Sequence, residues 1–170
     1  MNEQTLIWGT FCLLALAAAI LWPRPTRRFL GGFFILMALG VNLAYVLLDP
    51  EGFVAIGTDA PLLGFYDWAF STIVAVSPIT LGITLAIYEL ALGTCMIIGG
   101  RAARWGLLAG IAFLVASTPL STWTLPNLIL AAALLVILRR EPRSVAATTS
   151  AGGISRTNGE PQVTAEQTAA

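Results

Sequence analysis

The chemistry available to this chain converges on one residue. Glu89 is the only carboxylic acid inside a long apolar run, with Ile87, Leu90 and Leu92 around it. In a membrane a charge at such depth costs several kcal/mol unless it is neutralised, paired or solvated, so a carboxyl there marks a candidate functional site. The groups able to meet it are neutral: Asn42 and Tyr45 on an earlier apolar run, the adjacent Tyr88, and the hydroxyls of Thr84 and Thr94. Ile35, Ala38, Asn42 and Tyr45 recur at helical spacing, which predicts an amide and a phenol on one face. Two readings follow. In one, Glu89 is an interhelical hydrogen-bond donor holding a bundle together, worth about 1 kcal/mol. In the other it is a ligand-binding or proton-carrying group, one that bonds a quinone carbonyl or a lipid hydroxyl. A proton relay would ordinarily show further carboxyls, and the apolar runs hold none.

Absences restrict the chemistry further. There is no histidine, which removes the commonest metal and haem ligand and the commonest general base, so no metal site is evident. Cys12 and Cys95 lie in separate apolar runs without the C-x-x-C spacing of a dithiol centre, and they read as structural thiols. Nine acidic residues balance nine arginines, so charge gives no footing for a nucleic-acid partner. Any redox chemistry must come from a partner or from a bound cofactor, for which a quinone is the candidate.

The elements that position Glu89 follow from hydropathy. Of 170 residues, 57% are hydrophobic and 11% charged, with a mean hydropathy of +0.83. An apolar helix of about 20 residues crosses the hydrocarbon core. Five runs qualify or nearly do, at residues 5–22, 29–48, 78–99, 105–120 and 124–138. An all-α membrane protein with five spans is predicted. Gly82, Ala86, Glu89 and Gly93 share one stripe of the third span, and small residues there let neighbours approach and turn the carboxyl inward. Gly106-x-x-x-Gly110 on the fourth is a similar close-packing pattern. It serves packing within the chain or, alternatively, a homo-oligomer.

Arginine placement orients the set. Arg24, Arg27 and Arg28 fall between spans one and two, Arg101 and Arg104 between three and four, and Arg139, Arg140 and Arg143 after five. The intervening connections carry no arginine, and one holds Asp49, Glu51, Asp59 and Asp67. The positive-inside rule then predicts a multi-pass membrane protein with its N-terminus outside and its C-terminus in the cytoplasm. Trp8, Trp68 and Trp123 fall at the predicted outer face, Trp22 and Trp105 at the inner one, as interfacial indoles should. The segment 65–76 is too short to span and is predicted to be an interfacial or re-entrant helix on the outer face. The first run lacks a basic start and a small-residue cleavage site, and is read as a retained helix. Residues 144–170, rich in Ala, Thr, Ser, Gly, Glu and Gln, are predicted to form a disordered cytoplasmic tail.

Arg27-Arg28-Phe29-Leu30-Gly31-Gly32-Phe33-Phe34 opens a span, and Tyr88-Glu89-Leu90-Ala91-Leu92-Gly93-Thr94-Cys95-Met96-Ile97-Ile98-Gly99-Gly100 precedes an arginine turn and a helical hairpin. Over residues 27–140 this pattern resembles the DoxX-like membrane proteins, actinobacterial members among them. The resemblance implies a four-helix transmembrane bundle to which the first helix is an extra N-terminal addition. It carries over Glu89 and Gly93. Members of that family include a subunit associated with an archaeal thiosulfate:quinone oxidoreductase and bacterial proteins linked to thiol and oxidative-stress systems. A membrane redox or sulfur-transfer protein is therefore the implied partner, besides the lipid bilayer. The expectation is a non-enzymatic subunit that holds a membrane partner or a small lipophilic ligand around Glu89. The alternative is a small oligomeric carrier or proton-coupled transporter.

The orientation is testable by labelling. In intact cells a membrane-impermeant maleimide should modify an Asp59→Cys variant, and should reach an Arg143→Cys variant only after permeabilisation; the reverse pattern would invert the topology.

Overall fold

The computed structural model describes residues 3–141, so the predicted 144–170 tail lies outside the described residues. Every regular element among them is helical. Helix α1 is Glu3–Leu21. Helix α2 runs Pro23–Leu48, with Met37–Leu43 wound as a π-helix inside it. Two short helices follow, α3 at Pro50–Thr58 and α4 at Gly64–Ala69, the latter continued by a π turn over Phe70–Val74. Helices α5 (Pro78–Ile98), α6 (Gly100–Ser117) and α7 (Asn127–Arg140) complete the chain, with 3-10 turns between α6 and α7. Five segments are long and apolar enough to cross a membrane, namely α1, α2, α5, α6 as far as Leu120, and α7 from Thr122. The chain is an all-α, multi-pass membrane protein.

Two predicted starts move toward the chain's corners, one set by a proline and the other by glycines. The spans expected to begin at 29 and 105 begin at Pro23 and Gly100. Pro23, Pro50 and Pro78 each sit in a first helical turn, where the missing N–H has no partner to lose and φ is already helical. Each also pushes the residue before it out of the helical region, so Trp22 and Asp49 alone form the corners on either side of α2. Asp49 then accepts the Gly52 N–H at 2.9 Å as an N-cap. The α5–α6 corner uses Gly99 and Gly100 at φ +94° and +60°, a backbone that favours glycine. Arg24, Arg27, Arg28, Arg101 and Arg104 therefore lie on the first two turns of their helices, not in loops.

The five long helices form a ring in which α1 packs on α7, α7 on α6, α6 on α5 and α5 on α2, while α1 and α2 touch far less. One end of the bundle carries the described arginines, and the other is capped by α3 and α4. Leu30, Met96, Leu107, Leu134 and Ile137 fill the arginine-end half. Large apolar side chains such as Leu36, Ile87, Trp105 and Val115 face outward, as they do against lipid.

Contact between backbones sets the helix positions. A Cβ on Gly31 of α2 would lie 2.7 Å from the Gly93 carbonyl oxygen of α5, and one on Gly93 would lie 2.6 Å from that of Gly31. Gly82 takes the Val46 side chain, Gly106 lies against the Leu92 carbonyl, and Gly110 takes Met96 and Leu134. Arg27 turns inward at the end of this seam and is only 6% exposed. Its Nη1 donates to the Met96 carbonyl at 2.6 Å, and its Nε stands 2.9 Å from Glu141 Oε1.

Substitution should expose the seam. Gly93→Leu inserts a side chain where the gap is closed and should lower stability by about 1–3 kcal/mol or more. Gly32→Ala, which meets nothing within 4 Å, should leave stability equal or slightly higher. Thermal melts in mild detergent read both, and equal melts would show that α2 and α5 do not touch there.

Candidate functional site

Glu89 is placed by the small residues around it. Gly82, Ala86, Glu89 and Gly93 all lie on the buried side of α5, and Glu89 itself is 2% exposed. Helices α2 and α5 are antiparallel, and helical side chains lean toward their own N-termini. Glu89 accordingly leans toward the cap and Asn42 toward the arginine end, and the two meet. Asn42 Nδ2 donates to Glu89 Oε2 at 2.6 Å. The other oxygen, Oε1, makes no hydrogen bond to the described residues.

The two predicted tyrosines are not brought to the carboxyl. An i to i+5 turn accommodates one residue more than an α turn, so within and beyond Met37–Leu43 the face toward α5 runs through Ala38, Asn42 and Val46. Val46 is fully buried and packs on Gly82, whereas the expected seven-residue step would have brought in Tyr45. The Tyr45 hydroxyl instead lies beside Gly52 at the start of α3. Tyr88 is one residue, and therefore about 100°, around α5 from Glu89. Its hydroxyl donates to the Ala109 carbonyl of α6 at 2.9 Å, and its ring rests near Phe113.

Glu89 and Asn42 form the polar part of one wall of a cavity of about 190 Å³ in the cap-end half of the bundle. Phe33, Phe34, Leu85 and Phe113 supply much of its apolar lining, and Phe53, Ile56 and Phe70 roof it from the cap. The roof is tied down at the α6–α7 turn, where Leu62 N–H donates to the Pro119 carbonyl at 2.9 Å and the Tyr66 hydroxyl donates to the Ala116 carbonyl.

A second polar group faces the cavity, and sequence reasoning found only part of it. Trp8 Nε1 donates to Asn127 Oδ1 at 2.8 Å, and Asn127 Nδ2 donates to Ser117 Oγ at 3.0 Å. These bonds join α1, α6 and α7. Asn127 sits in the first turn of α7; in the sequence Trp8 carried only an interfacial signal. The Thr124 hydroxyl is likewise engaged, with the Thr118 and Ser121 carbonyls. Each polar side chain of this cluster has a partner within it, whereas the Glu89 carboxyl keeps an unbonded oxygen.

The arrangement can bind a polar group in an apolar enclosure. Among the described residues no group of three or more His, Cys, Asp or Glu could hold a metal ion, and both cysteines are free thiols. No family model, curated protein or solved structure matches the chain.

The Asn42–Glu89 bond can be measured. In a double-mutant cycle of Asn42→Ala with Glu89→Leu, the coupling should be about 1 kcal/mol, within the range of membrane hydrogen bonds. Additive losses would mean that the bond does not form in the bilayer.

Proposed function

We propose that this chain is a non-enzymatic, DoxX-like membrane subunit that holds one small lipophilic ligand, a quinone or a lipid, in the cavity beside Glu89. One observation carries this reading: a buried carboxyl with an unbonded oxygen and an amide partner stands in the wall of an otherwise largely apolar cavity. Binding sites of this kind pair an apolar enclosure with a few polar groups that fix orientation.

Size and polarity narrow the ligand. A protein cavity of about 150 Å³ accepts a molecule as large as benzene, so this one suits a single ring or a short branched segment. The polar side chains of the Asn127 cluster are already bonded to one another, so the ligand's polar head belongs at Glu89 and Asn42, where a carboxyl oxygen has no partner. A carboxyl beside an amide offers both donors and acceptors, which suits a carbonyl or a hydroxyl. The ligand body then extends among the Phe33, Phe34 and Phe113 rings toward the roof. Residence in a bacterial inner membrane, with the cap outside and the arginines in the cytoplasm, accompanies this reading. A membrane redox or sulfur-transfer protein is the partner that the DoxX-like pattern implies.

The test is native mass spectrometry of the protein extracted from its own membrane in mild detergent. A stoichiometric lipid or quinone is expected, with occupancy lowered about tenfold by Glu89→Gln, as for the loss of a hydrogen bond from a charged or strongly polar group. Leu85→Trp should displace the ligand by filling the cavity while leaving the carboxyl in place. A wild-type protein that carries nothing, or variants with unchanged occupancy, would leave Glu89 as a purely structural hydrogen-bond partner.

A further inference from the structure

The weak contact between α1 and α2 leaves a feature that the Glu89 cavity does not use. Toward the cap their seam is filled by packed rings, with Trp8 and Phe11 stacked 5.2 Å apart and Phe11 and Phe33 tilted 4.8 Å apart. Toward the arginine end the filling stops. A groove of about 540 Å³ opens there, walled by Leu14, Trp22 and Phe29, with Ala15 and Ala18 leaving the room that larger side chains would occupy. Leu14, Trp22 and Phe29 are each more than half exposed, so the groove opens outward onto the lipid face.

Its length and its charged end identify an occupant. From Phe11 to Trp22 the groove follows α1 for about 16 Å, close to half of the roughly 30 Å hydrocarbon thickness, which is the depth of one leaflet. At the arginine end Arg24 and Arg28 immediately precede the lining residues Pro25 and Phe29 along α2, and both are exposed. Arg140 of α7 donates to the Ile20 carbonyl, which holds another cation at the end of α1. Among the described residues the one ion pair is Arg27 with Glu141, so Arg24, Arg28 and Arg140 have no carboxylate partner there.

We propose that the α1–α2 groove is a binding site for an anionic phospholipid, one acyl chain lying along Ala15 and Ala18 and the phosphate meeting Arg24, Arg28 and Arg140. Guanidinium groups bind phosphate oxygens in a paired geometry, and basic pockets between transmembrane helices select anionic headgroups. A zwitterionic lipid satisfies the groove but brings no net charge to the arginines. The groove and the Glu89 cavity are separate, so this proposal stands apart from the ligand reading above.

Trp22 lies in the groove and reports directly. The full chain is reconstituted in phosphatidylcholine vesicles that contain brominated phosphatidylglycerol or, in parallel, brominated phosphatidylcholine, and quenching of tryptophan fluorescence is followed. Brominated phosphatidylglycerol is expected to compete for the site more strongly, by about fivefold for each arginine engaged. Arg24→Gln with Arg28→Gln should abolish the preference while both lipids still quench. Ala18→Phe should reduce quenching by both, and Trp22→Phe should remove the selective component. Far-UV circular dichroism of the exposed Arg24→Gln/Arg28→Gln variant confirms that the fold persists. Equal quenching by the two lipids in the wild type overturns the proposal. So does a preference that survives the Arg24→Gln/Arg28→Gln pair and falls instead with Arg101→Gln and Arg104→Gln.

Discussion

The backbone contact between Gly31 and Gly93 is the constraint on which the rest of the bundle depends. Lipid tails are as apolar as leucine, so membrane helices gain little from burying apolar side chains against each other, and close packing with a few polar bonds must hold them. Gly93 admits α2 on one side of α5, and Gly106 of α6 admits its neighbour on another. With both partners against its backbone, α5 has no free turn near Glu89. The carboxyl between Ala86 and Gly93 is therefore enclosed, and its reach toward the cap brings it to Asn42. Toward the arginine end the same seam closes on Arg27, whose bond to the Met96 carbonyl satisfies an acceptor near the C-terminus of α5.

The division of the bundle into a filled half and a hollow half follows from where the large side chains fall. Leu30, Met96, Leu107, Leu134 and Ile137 meet in the arginine-end half. In the cap-end half the rings of Trp8, Phe33, Phe34 and Phe113 stand around the centre without filling it. A five-helix ring has a wider middle than a four-helix one, and rigid rings cannot collapse into that space as flexible side chains can. The cap bonds to the α6–α7 turn through Leu62 and Tyr66 then close the hollow from above.

Much of this was legible in the sequence, and the remainder has a physical reason. Hydropathy located five spans, and the Gly82, Ala86, Gly93 stripe turned Glu89 inward, because small and polar residues are rare enough on a membrane helix to mark a face. Asn42 was legible on the same grounds. Tyr45 was not, because locating it needs the phase of α2 beyond the π-helix. In a soluble helix the apolar period reveals such a shift; in α2 the residues from Leu43 to Leu48 are apolar apart from Tyr45 itself, and Val46 looks no different from its neighbours. Arg27 was legible as a topological charge, yet its burial depends on Met96 and Glu141, far away in sequence.

The prolines and the arginines then account for why the α1–α2 seam is the loose one. Trp22 alone joins the two helices, because Pro23 starts α2 at once. A corner that short fixes the ends of both helices close together but leaves their directions free to diverge, and each finds its best partner elsewhere: α1 along α7, α2 along α5. Aromatic rings bridge the gap where Trp8, Phe11 and Phe33 are available. Farther along, alanines stand at positions 15 and 18 of α1 and nothing bridges it. The opening thus lies beside the first two turns of α2, the segment that carries Arg24 and Arg28.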